Sequence, residues 1–364
     1  MNPLKVAVIG GGHLGRIHSR LLAQNSEFQL MAVAETDAAA RDKIESEFSV
    51  RTTDDYRTLL GEIDAAVIAT PTASHHAIAC DLLSNSVHTL IEKPVTNSAT
   101  QAEELANLAE NHGLTIQVGH VERFNPAFQK AKQVLPRPRY IEAQRMSGYT
   151  MRSTDVGVVL DLMIHDIDLV VSLVNSPLVD ARAIGVSVFG PHEDIAQARL
   201  EFEDGTVANL TASRCSFQPA RTISWFSEAG FVAADLSAGE VQHVGLSSMI
   251  DPASFRDIQQ RDSSQINDIQ SSLFDSVLPQ TKEQVSPQNA IECEHLDFAN
   301  AIRTQTSPTV TGRQGGRAVK IAESILNSIG LHRWQDGEAE LCGAQALKFD
   351  PSTSWGRIHP GRAA

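Results

Sequence analysis

Cysteine is scarce in this 364-residue sequence, and its four cysteines stand far apart. None belongs to a Cys-x-x-Cys pair, the spacing typical of zinc sites and of redox-active motifs. A disulfide-stabilised domain would also need many more of them. The sequence therefore predicts neither a disulfide framework nor a metal site, and a reducing cytoplasm is the expected environment. The four are Cys80, Cys215, Cys293 and Cys342.

Long apolar runs and an excess of positive charge are also missing. No apolar run approaches the ~18 residues of a membrane helix. The 30 basic residues are outnumbered by 44 acidic ones, for a formal net charge of -14. Nucleic acids and anionic membranes repel such a chain at long range, so neither is expected as its main partner. A strand pattern begins at Leu4 and leaves no room for a cleavable signal before it, which also favours a cytoplasmic location.

Short apolar runs alternate with helical patterns through the first third of the sequence. Such alternation is typical of a parallel sheet with helices on both faces. Because single cores stop growing at roughly 250 to 300 residues, the length suits two domains. We predict an α/β protein whose N-terminal domain, residues 1–121, is a doubly wound parallel sheet. Its expected strands are LKVAVIG, FQLMAVAE, AAVIAT, HTLIEK and LTIQVG.

Strands follow one another in series after this first third. The Asp-Gly pair in EFEDGTVANL separates two alternating runs and is typical of a hairpin. We therefore predict a C-terminal α/β domain, residues 122–335, with a large, mostly antiparallel open sheet and two closing helices. Residues 246–290 are polar and are expected to include a long mobile loop. The tail, residues 336–364, has no pattern that predicts structure.

The run VAVIGGGHLGRIH has GxGxxG spacing between a predicted strand and a predicted helix. Its glycines permit a tight turn, a close approach to a pyrophosphate and close helix packing, as in a Rossmann dinucleotide site. Glu35 ends the second strand 20 residues beyond the last glycine, where an acid binds ribose hydroxyls and repels a 2'-phosphate. With no Lys or Arg directly after Glu35, NAD is favoured over NADP. A tight turn without a ligand is the alternative. The residues predicted to bind the cofactor here are Gly10, Gly12, His13, Leu14, Gly15 and Glu35.

Two further strands end in polar residues at the carboxyl edge, where open α/β sheets bind ligands. In IATPTASHH these are Thr70, Pro71 and His75, and in HTLIEKPVT they are Glu92 and Lys93. Proline biases Lys93 towards an extended backbone, so its ammonium is expected to project from the edge. Taken alone, His75 is more typical of a surface histidine, and Glu-Lys-Pro is more typical of an ordinary loop.

The stretch VLDLMIHDIDLVVSLV, residues 159–174, places Asp161, His165 and Asp168 on one face of an apolar helix. Burying polar groups without partners is costly, so the stripe needs an explanation. A buried polar network between the two domains is one explanation, and a catalytic group is the other.

These motifs together resemble the glucose-fructose oxidoreductase, inositol dehydrogenase and rhizopine-catabolism (Gfo/Idh/MocA) family of sugar dehydrogenases. The resemblance covers residues 4 to about 330 and rests on GxGxxG, ATP-x-x-x-H, Glu-Lys-Pro, VGHVERFNP and D-x-x-x-H-x-x-D. It implies NAD-dependent oxidation of a ring hydroxyl and a homodimer or homotetramer built on the outer face of the second sheet. His165 would be the general base, Lys93 would hydrogen-bond the same oxygen, and Asp161 would orient His165 or bind an adjacent hydroxyl. Asp168 is expected to brace the helix or a nearby basic group.

Within the family, the sequence is similar to members that oxidise the 3-hydroxyl of UDP-N-acetylglucosamine in lipid A precursor synthesis. A diphosphate needs cationic partners, and four arginines are available. Free myo-inositol or a hexose is the alternative substrate, and a dinucleotide-binding sugar sensor without turnover is the alternative of another class. The further substrate-binding candidates are Arg123, Tyr149 and Arg152, and the candidate diphosphate ligands are Arg145, Arg152, Arg214 and Arg221.

Overall fold

The structure is a computed structural model that describes residues 2–149, 156–189, 191–245, 262–272 and 278–332. Part of the predicted 246–290 loop and the tail from residue 333 lie outside the described residues. Within them, the chain forms one parallel and one mostly antiparallel sheet, as the sequence predicts. No helix in these ranges is both long and apolar enough to cross a membrane.

The first sheet has six parallel strands in the order β3-β2-β1-β4-β5-β6. This order reverses direction beside β1, and ligands bind at such a switch point in open α/β sheets. The central strands are apolar on both faces because helices cover both. The strands are β1 (Leu4–Ile9), β2 (Phe28–Ala34), β3 (Arg51–Thr53), β4 (Ala65–Ile68), β5 (His88–Glu92) and β6 (Ile116–Gly119). The helices are α1 (His13–Gln24), α2 (Ala38–Phe48), α3 (Thr72–Ser84) and α4 (Ala99–His112).

The second sheet has eight strands in the order β14-β13-β12-β11-β7-β10-β9-β8. All its pairs are antiparallel except β7 with β10, which run parallel. The Asp-Gly hairpin joins β9 to β10, with Gly205 at a φ of +81°. The strands are β7 (Tyr140–Met146), β8 (Leu178–Val186), β9 (Ile195–Phe202), β10 (Val207–Ser213), β11 (Ala220–Ser227), β12 (Gly230–Asp235), β13 (Glu240–Gly245) and β14 (Gln280–Gln284).

The polar stripe, formed by Asp161, His165 and Asp168, lies on two kinds of helix. Val159–Met163 is a π-helical turn, and α6 (Ile164–Leu173) continues from it as an α-helix. The sequence pattern predicts a single helix here, and the wider turn is the difference. Short π-helical turns are frequent at functional sites. Asp161 therefore lies in the π-turn, whereas His165 and Asp168 lie in α6.

Four other α-helices lie in the described part of the chain after α4. They are α5 (Pro126–Val134), α7 (Ser263–Ser272) and α8 (Ala290–Thr304), and the C-terminal helix is α9 (Gly312–Leu331). Helix α9 packs on α4, α6 and β8 and so contacts both halves of the molecule. A Cβ at Gly315 would lie 2.6 Å from a methyl of Val118, so the glycine permits α9 to approach β6 closely. Both α7 and β14 lie where the sequence predicted a long loop.

Candidate active site

The glycine-rich turn joins β1 to α1 at the carboxyl edge of the first sheet. Gly10 has a φ of +102°, and a Cβ there would lie 2.6 Å from the carbonyl oxygen of Ala69. A larger residue would therefore strain the backbone and clash with it. A Cβ at Gly15 would collide with the carbonyl oxygen of Gly10, so this glycine permits the close contact of α1 with β1.

The N-terminus of α1 is open to a ligand. Gly12, His13 and Leu14 are exposed, and a Cβ on Gly12 would meet no atom within 4 Å. Gly12 is the N-cap and supplies no side chain to cap the first amides of the helix. The amides and the helix dipole together suit a phosphate, so the turn fits the pyrophosphate of a dinucleotide.

Glu35 directly follows β2 beside this turn. Its Oε2 accepts from the backbone N–H of Gly11 at 2.8 Å, and its Oε1 accepts from that of Asp37 at 3.0 Å. Burial alone would raise the pKa of Glu35, but these two amides bring that pKa below its ordinary value. The carboxylate keeps its charge and has lone pairs left for ribose hydroxyls. This environment fits NAD and opposes a 2'-phosphate.

His75 is buried and joins two loops of the same edge. Its Nε2 lies 2.8 Å from the carbonyl oxygen of Thr70, and its Nδ1 lies 3.0 Å from that of Pro94. The Thr70 hydroxyl accepts from Ser74 at 2.8 Å, and Pro71 precedes α3. The ring of His75 therefore links the loop after β4 to the loop after β5. Direct contact of these residues with the cofactor stays a prediction.

Lys93 follows β5 and reaches the π-turn. Its Nζ donates to the carbonyl oxygen of Asp161 at 2.8 Å and lies 3.7 Å from the carboxylate of the same residue. The Lys93–Pro94 peptide bond is cis. Burial lowers the pKa of Lys93, and the carboxylates of Asp161 and Glu92 oppose that lowering. A cation from the first sheet thus meets an anion from the polar stripe.

His165 lies in the first turn of α6 and lines a cavity of 430 Å³. Its Nδ1 is buried and has no hydrogen-bond partner among the described residues. Burial holds the pKa of His165 well below its usual range, and the charges of Lys93 and Arg145 add to the effect. The imidazole is therefore neutral near pH 7 and free to accept a proton. Within the described ranges no hydrogen bond joins Asp161 to His165, and both suggested roles of Asp161 stay predictions.

Charged groups from the turn after β6 and from β7, α6 and β11 meet at or beside the cavity. Arg145 on β7 donates from Nη1 to Glu122 at 2.9 Å and from Nη2 to Asp166 at 2.7 Å, and all three are buried. Arg221 on β11 also lines the cavity, and its Nη1 lies 3.3 Å from Glu122. The Arg221 side chain is 48% exposed, so it can still meet a ligand.

Other predicted basic residues form buried ion pairs away from this cavity. Arg123 donates to both carboxylate oxygens of Asp168, at 2.7 and 3.2 Å, in the bracing contact expected of Asp168. Arg214 donates from Nε to Asp194 at 2.6 Å.

Tyr149 and Arg152 are the remaining substrate-binding candidates from the sequence. The Tyr149 ring packs at an angle on the ring of Phe189, with 4.4 Å between the ring centroids. The guanidinium of Arg214 lies 6.0 Å from the centroid of the Tyr149 ring. Arg152 lies outside the described residues. A role for either residue in substrate binding stays a prediction.

Several buried polar residues lie next to the predicted ones and were not predicted from the sequence. Glu122 precedes Arg123 in VERFNP, and Asp166 follows His165 in the helix motif, so both lay within motifs already noted. His120 packs edge to face on His165, with 6.4 Å between centroids. No spacing in the sequence distinguishes these residues, because their partners come from distant elements.

Comparison with protein families gives two matches along the chain. Residues 4–120 match the oxidoreductase family with an NAD-binding Rossmann fold, Gfo/Idh/MocA. Residues 129–231 match the Gfo/Idh/MocA C-terminal domain. These matches include the glycine-rich turn, the Glu-Lys-Pro loop and the π-turn with α6.

Named relatives and solved structures extend this comparison. UDP-N-acetylglucosamine 3-dehydrogenase of Acidithiobacillus ferrooxidans is 39% identical over 233 residues, 64% of this chain and 74% of the relative. Its structure, named GnnA, is similar with a TM-score of 0.78 and 31% identity, covering 90% of this chain and 98% of that one. Myo-inositol dehydrogenase Hyg17 of Streptomyces leeuwenhoekii is 28% identical over 231 residues, 58% of this chain and 70% of the relative. A levoglucosan dehydrogenase complex with NADH shares the fold, with a TM-score of 0.75 and 17% identity over 90% of this chain and 96% of that one.

Proposed function

This chain belongs to the Gfo/Idh/MocA family of NAD-binding oxidoreductases, and we propose that it oxidises a ring hydroxyl of a nucleotide sugar. The observation that carries the proposal is the contact of Lys93, from the edge of the NAD-binding sheet, with the segment that bears Asp161 and His165. In this proposal residues 1–121 bind NAD and residues 122–335 bind the sugar. Bound NAD supplies the hydride acceptor.

His165 and Lys93 act on the same hydroxyl group of the sugar. A neutral His165 takes the proton from the sugar hydroxyl as a general base. The ammonium of Lys93 donates a hydrogen bond to the same oxygen and stabilises the negative charge that develops there. Asp161, which holds Lys93 through its carbonyl oxygen, has a carboxylate that accepts from a neighbouring hydroxyl. His165 lines the cavity, and Lys93 contacts Asp161 four residues earlier in the same segment.

The cations around the cavity support a substrate with an anionic group. Arg145 is buried against the carboxylates of Glu122 and Asp166, so its charge is already balanced, and Arg214 lies away from the cavity in its pair with Asp194. Arg221 combines a place in the cavity lining with an exposed guanidinium, and it is our candidate for the diphosphate. The relative at 39% identity is named for UDP-N-acetylglucosamine, and we propose the 3-hydroxyl of a UDP-N-acetylhexosamine as the group oxidised.

A substrate panel tests the proposal. Purified protein is mixed with NAD and, separately, UDP-N-acetylglucosamine, UDP-N-acetylgalactosamine, myo-inositol and glucose, and formation of NADH is followed by absorbance. We expect turnover with a UDP-N-acetylhexosamine and none with K93M, whose fold is checked by circular dichroism. Turnover only with the free polyols would contradict the substrate. Binding of NAD and sugar without NADH, in a single-turnover measurement at high enzyme concentration, would contradict the enzyme.

The outer face of the second sheet supports a homo-oligomer. Tyr140, Phe226 and Phe231 form a cluster of aromatic rings there, with centroid distances of 6.1 and 4.6 Å. Phe226 is 46% exposed. Exposed aromatic clusters are typical of protein interfaces. We propose that this face joins two copies of the chain, and light scattering of wild type and F226K tests it, with a smaller mass expected for the variant.

A further inference from the structure

A buried chain of three titratable side chains ends beside Lys93. His18 on α1 places Nε2 at 2.8 Å from the Glu92 carboxylate and Nδ1 at 2.7 Å from Nε2 of His295 on α8. All three residues are buried, and His18 and His295 are at most 1% exposed. The Glu92 carboxylate also accepts from the backbone N–H of Lys93 at 3.2 Å. This row of hydrogen bonds thus links α1, α8 and β5.

The hydrogen bond between His18 and the Glu92 carboxylate has one possible direction. A carboxylate can only accept, so Nε2 of His18 donates to Glu92. Burial holds the pKa of His295 well below its usual range, so His295 is neutral and has one N–H. Nε2 of His295 shares its hydrogen bond with Nδ1 of His18, at 2.7 Å. Nδ1 of His295 is buried and without a partner among the described residues.

Glu92 depends on this donor for its charge. Burial alone would raise the pKa of Glu92, but the hydrogen bond from His18 and the neighbouring Lys93 bring it below the ordinary value. Gly119 leaves room for the carboxylate, because a Cβ there would lie 3.2 Å from its Oε2. We propose that His18 and His295 are positioning residues that keep Glu92 a carboxylate beside Lys93, so that Lys93 remains an ammonium when a sugar hydroxyl approaches it.

Other charged and titratable groups also face this pair. Burial raises the pKa of Glu294 well above its usual range, so that side chain is neutral and does not replace the Glu92 charge. Asp161 supplies the second anion beside Lys93. The groups around Lys93 are Glu92, His120, Arg145, Asp161 and His165, and those around Glu92 are His18, His120 and Glu294. Loss of the Glu92 charge therefore leaves Asp161 as the one remaining carboxylate among them.

Two substitutions of His18 test the N–H donor to Glu92 separately from the contact with His295. H18Q places an amide N–H where Nε2 was and keeps the donor to Glu92. H18N places its amide near Nδ1, keeps a partner for His295 and removes the donor to Glu92. We expect Glu92 to become protonated near neutral pH in H18N and the pKa of Lys93 to fall by about 1 pH unit or more. H18Q should titrate close to wild type.

The measurement is the titration of Lys93 itself. Full-length protein is trace-labelled with acetic anhydride across pH, and acetylation of Lys93 is read by peptide mass spectrometry against the exposed Lys320. The Lys93 side chain is 16% exposed, so the reagent can reach it. Neither NAD nor a sugar is needed, so the result does not depend on the proposed substrate. H112N, at an exposed histidine of α4, is the control and should leave the titration unchanged.

E92Q completes the test because it removes the charge of Glu92 while His18 stays in place. E92Q should lower the pKa of Lys93 as H18N does, and H18N/E92Q should lower it no further. An unchanged Lys93 titration in E92Q would overturn the proposal even if H18N does not fold. Equal titrations of H18N and H18Q, or additive shifts in the double variant, would overturn it too.

Discussion

Removal of the Asp168 carboxylate is expected to destabilise the protein strongly. Asp168 and Arg123 are buried, with side-chain exposures of 0% and 4%, and two hydrogen bonds of 2.7 and 3.2 Å join them. D168L leaves the Arg123 guanidinium buried without its anion. The guanidinium cannot lose its proton at any ordinary pH, so it cannot escape the cost by becoming neutral.

The expected magnitude follows from the burial of this pair. Breaking a buried ion pair by removing one partner costs about 3 to 5 kcal/mol. Replacing both partners by apolar residues of similar size is close to neutral, because no charge remains buried. R123M/D168L should therefore recover most of the stability that D168L loses. An exposed pair such as Arg139 with Glu228, at 58% and 84% exposure, should lose less than about 1 kcal/mol in E228Q.

Urea denaturation followed by circular dichroism measures these free energies of unfolding. Wild type, D168L, R123M/D168L and E228Q are compared in one buffer. A D168L variant that loses no more stability than E228Q would refute the assignment of this pair as buried and stabilising. If Arg123 instead binds the substrate, R123M/D168L will be stable but will have a raised KM for the sugar.

Three further outcomes are expected from substitutions at the site. The pKa of His165 lies well below 6.5, and the neutral base is lost only when pH falls through this lowered pKa. We therefore expect the acid limb of kcat/KM below pH 6.5, and H165N should remove this limb from the pH-rate profile. R221M should raise the KM for a UDP-sugar roughly 10-fold or more. R51M, similarly exposed at 52% on β3 of the first sheet, should not change the KM in the same steady-state assay. E35A should raise the kcat/KM ratio of NADP to NAD by about 10-fold or more, because the charge that repels the 2'-phosphate is gone; an unchanged ratio would count against the role of Glu35.

Elements with a strong apolar pattern were predictable from the sequence. The five predicted strands of the first domain lie in the parallel sheet, and the Asp-Gly hairpin lies between β9 and β10. The elements that were missed have weak patterns. β3 reads Arg-Thr-Thr, and β14 reads QTKEQ with all five residues exposed. Such strands are held by backbone hydrogen bonds to a neighbour, β2 or β13, which the local sequence does not encode.

Single residues of the candidate site were predictable where a motif carried them. The pairing of these residues was not, because each partner comes from a distant element. Asp166 binds Arg145 from 21 positions away, and His18 binds His295 from 277 positions away. The pattern of apolar positions predicts which face of a helix is buried. It does not predict which cation a buried carboxylate will meet, since that depends on how β7 and the turn after β6 pack on α6.

The polar residues of the π-turn and α6 are explained by the charges that meet them. Three aspartates of this segment each face a different cation, and each cation comes from a different element. The pairs are Asp161 with Lys93, Asp166 with Arg145, and Asp168 with Arg123. His165 stands among them with a buried Nδ1 that has no partner in the described residues. Since the carboxylates are already paired with cations, none of them is a free competitor for the proton of a bound hydroxyl. The neutral imidazole of His165 is the group in this segment that remains available to take it.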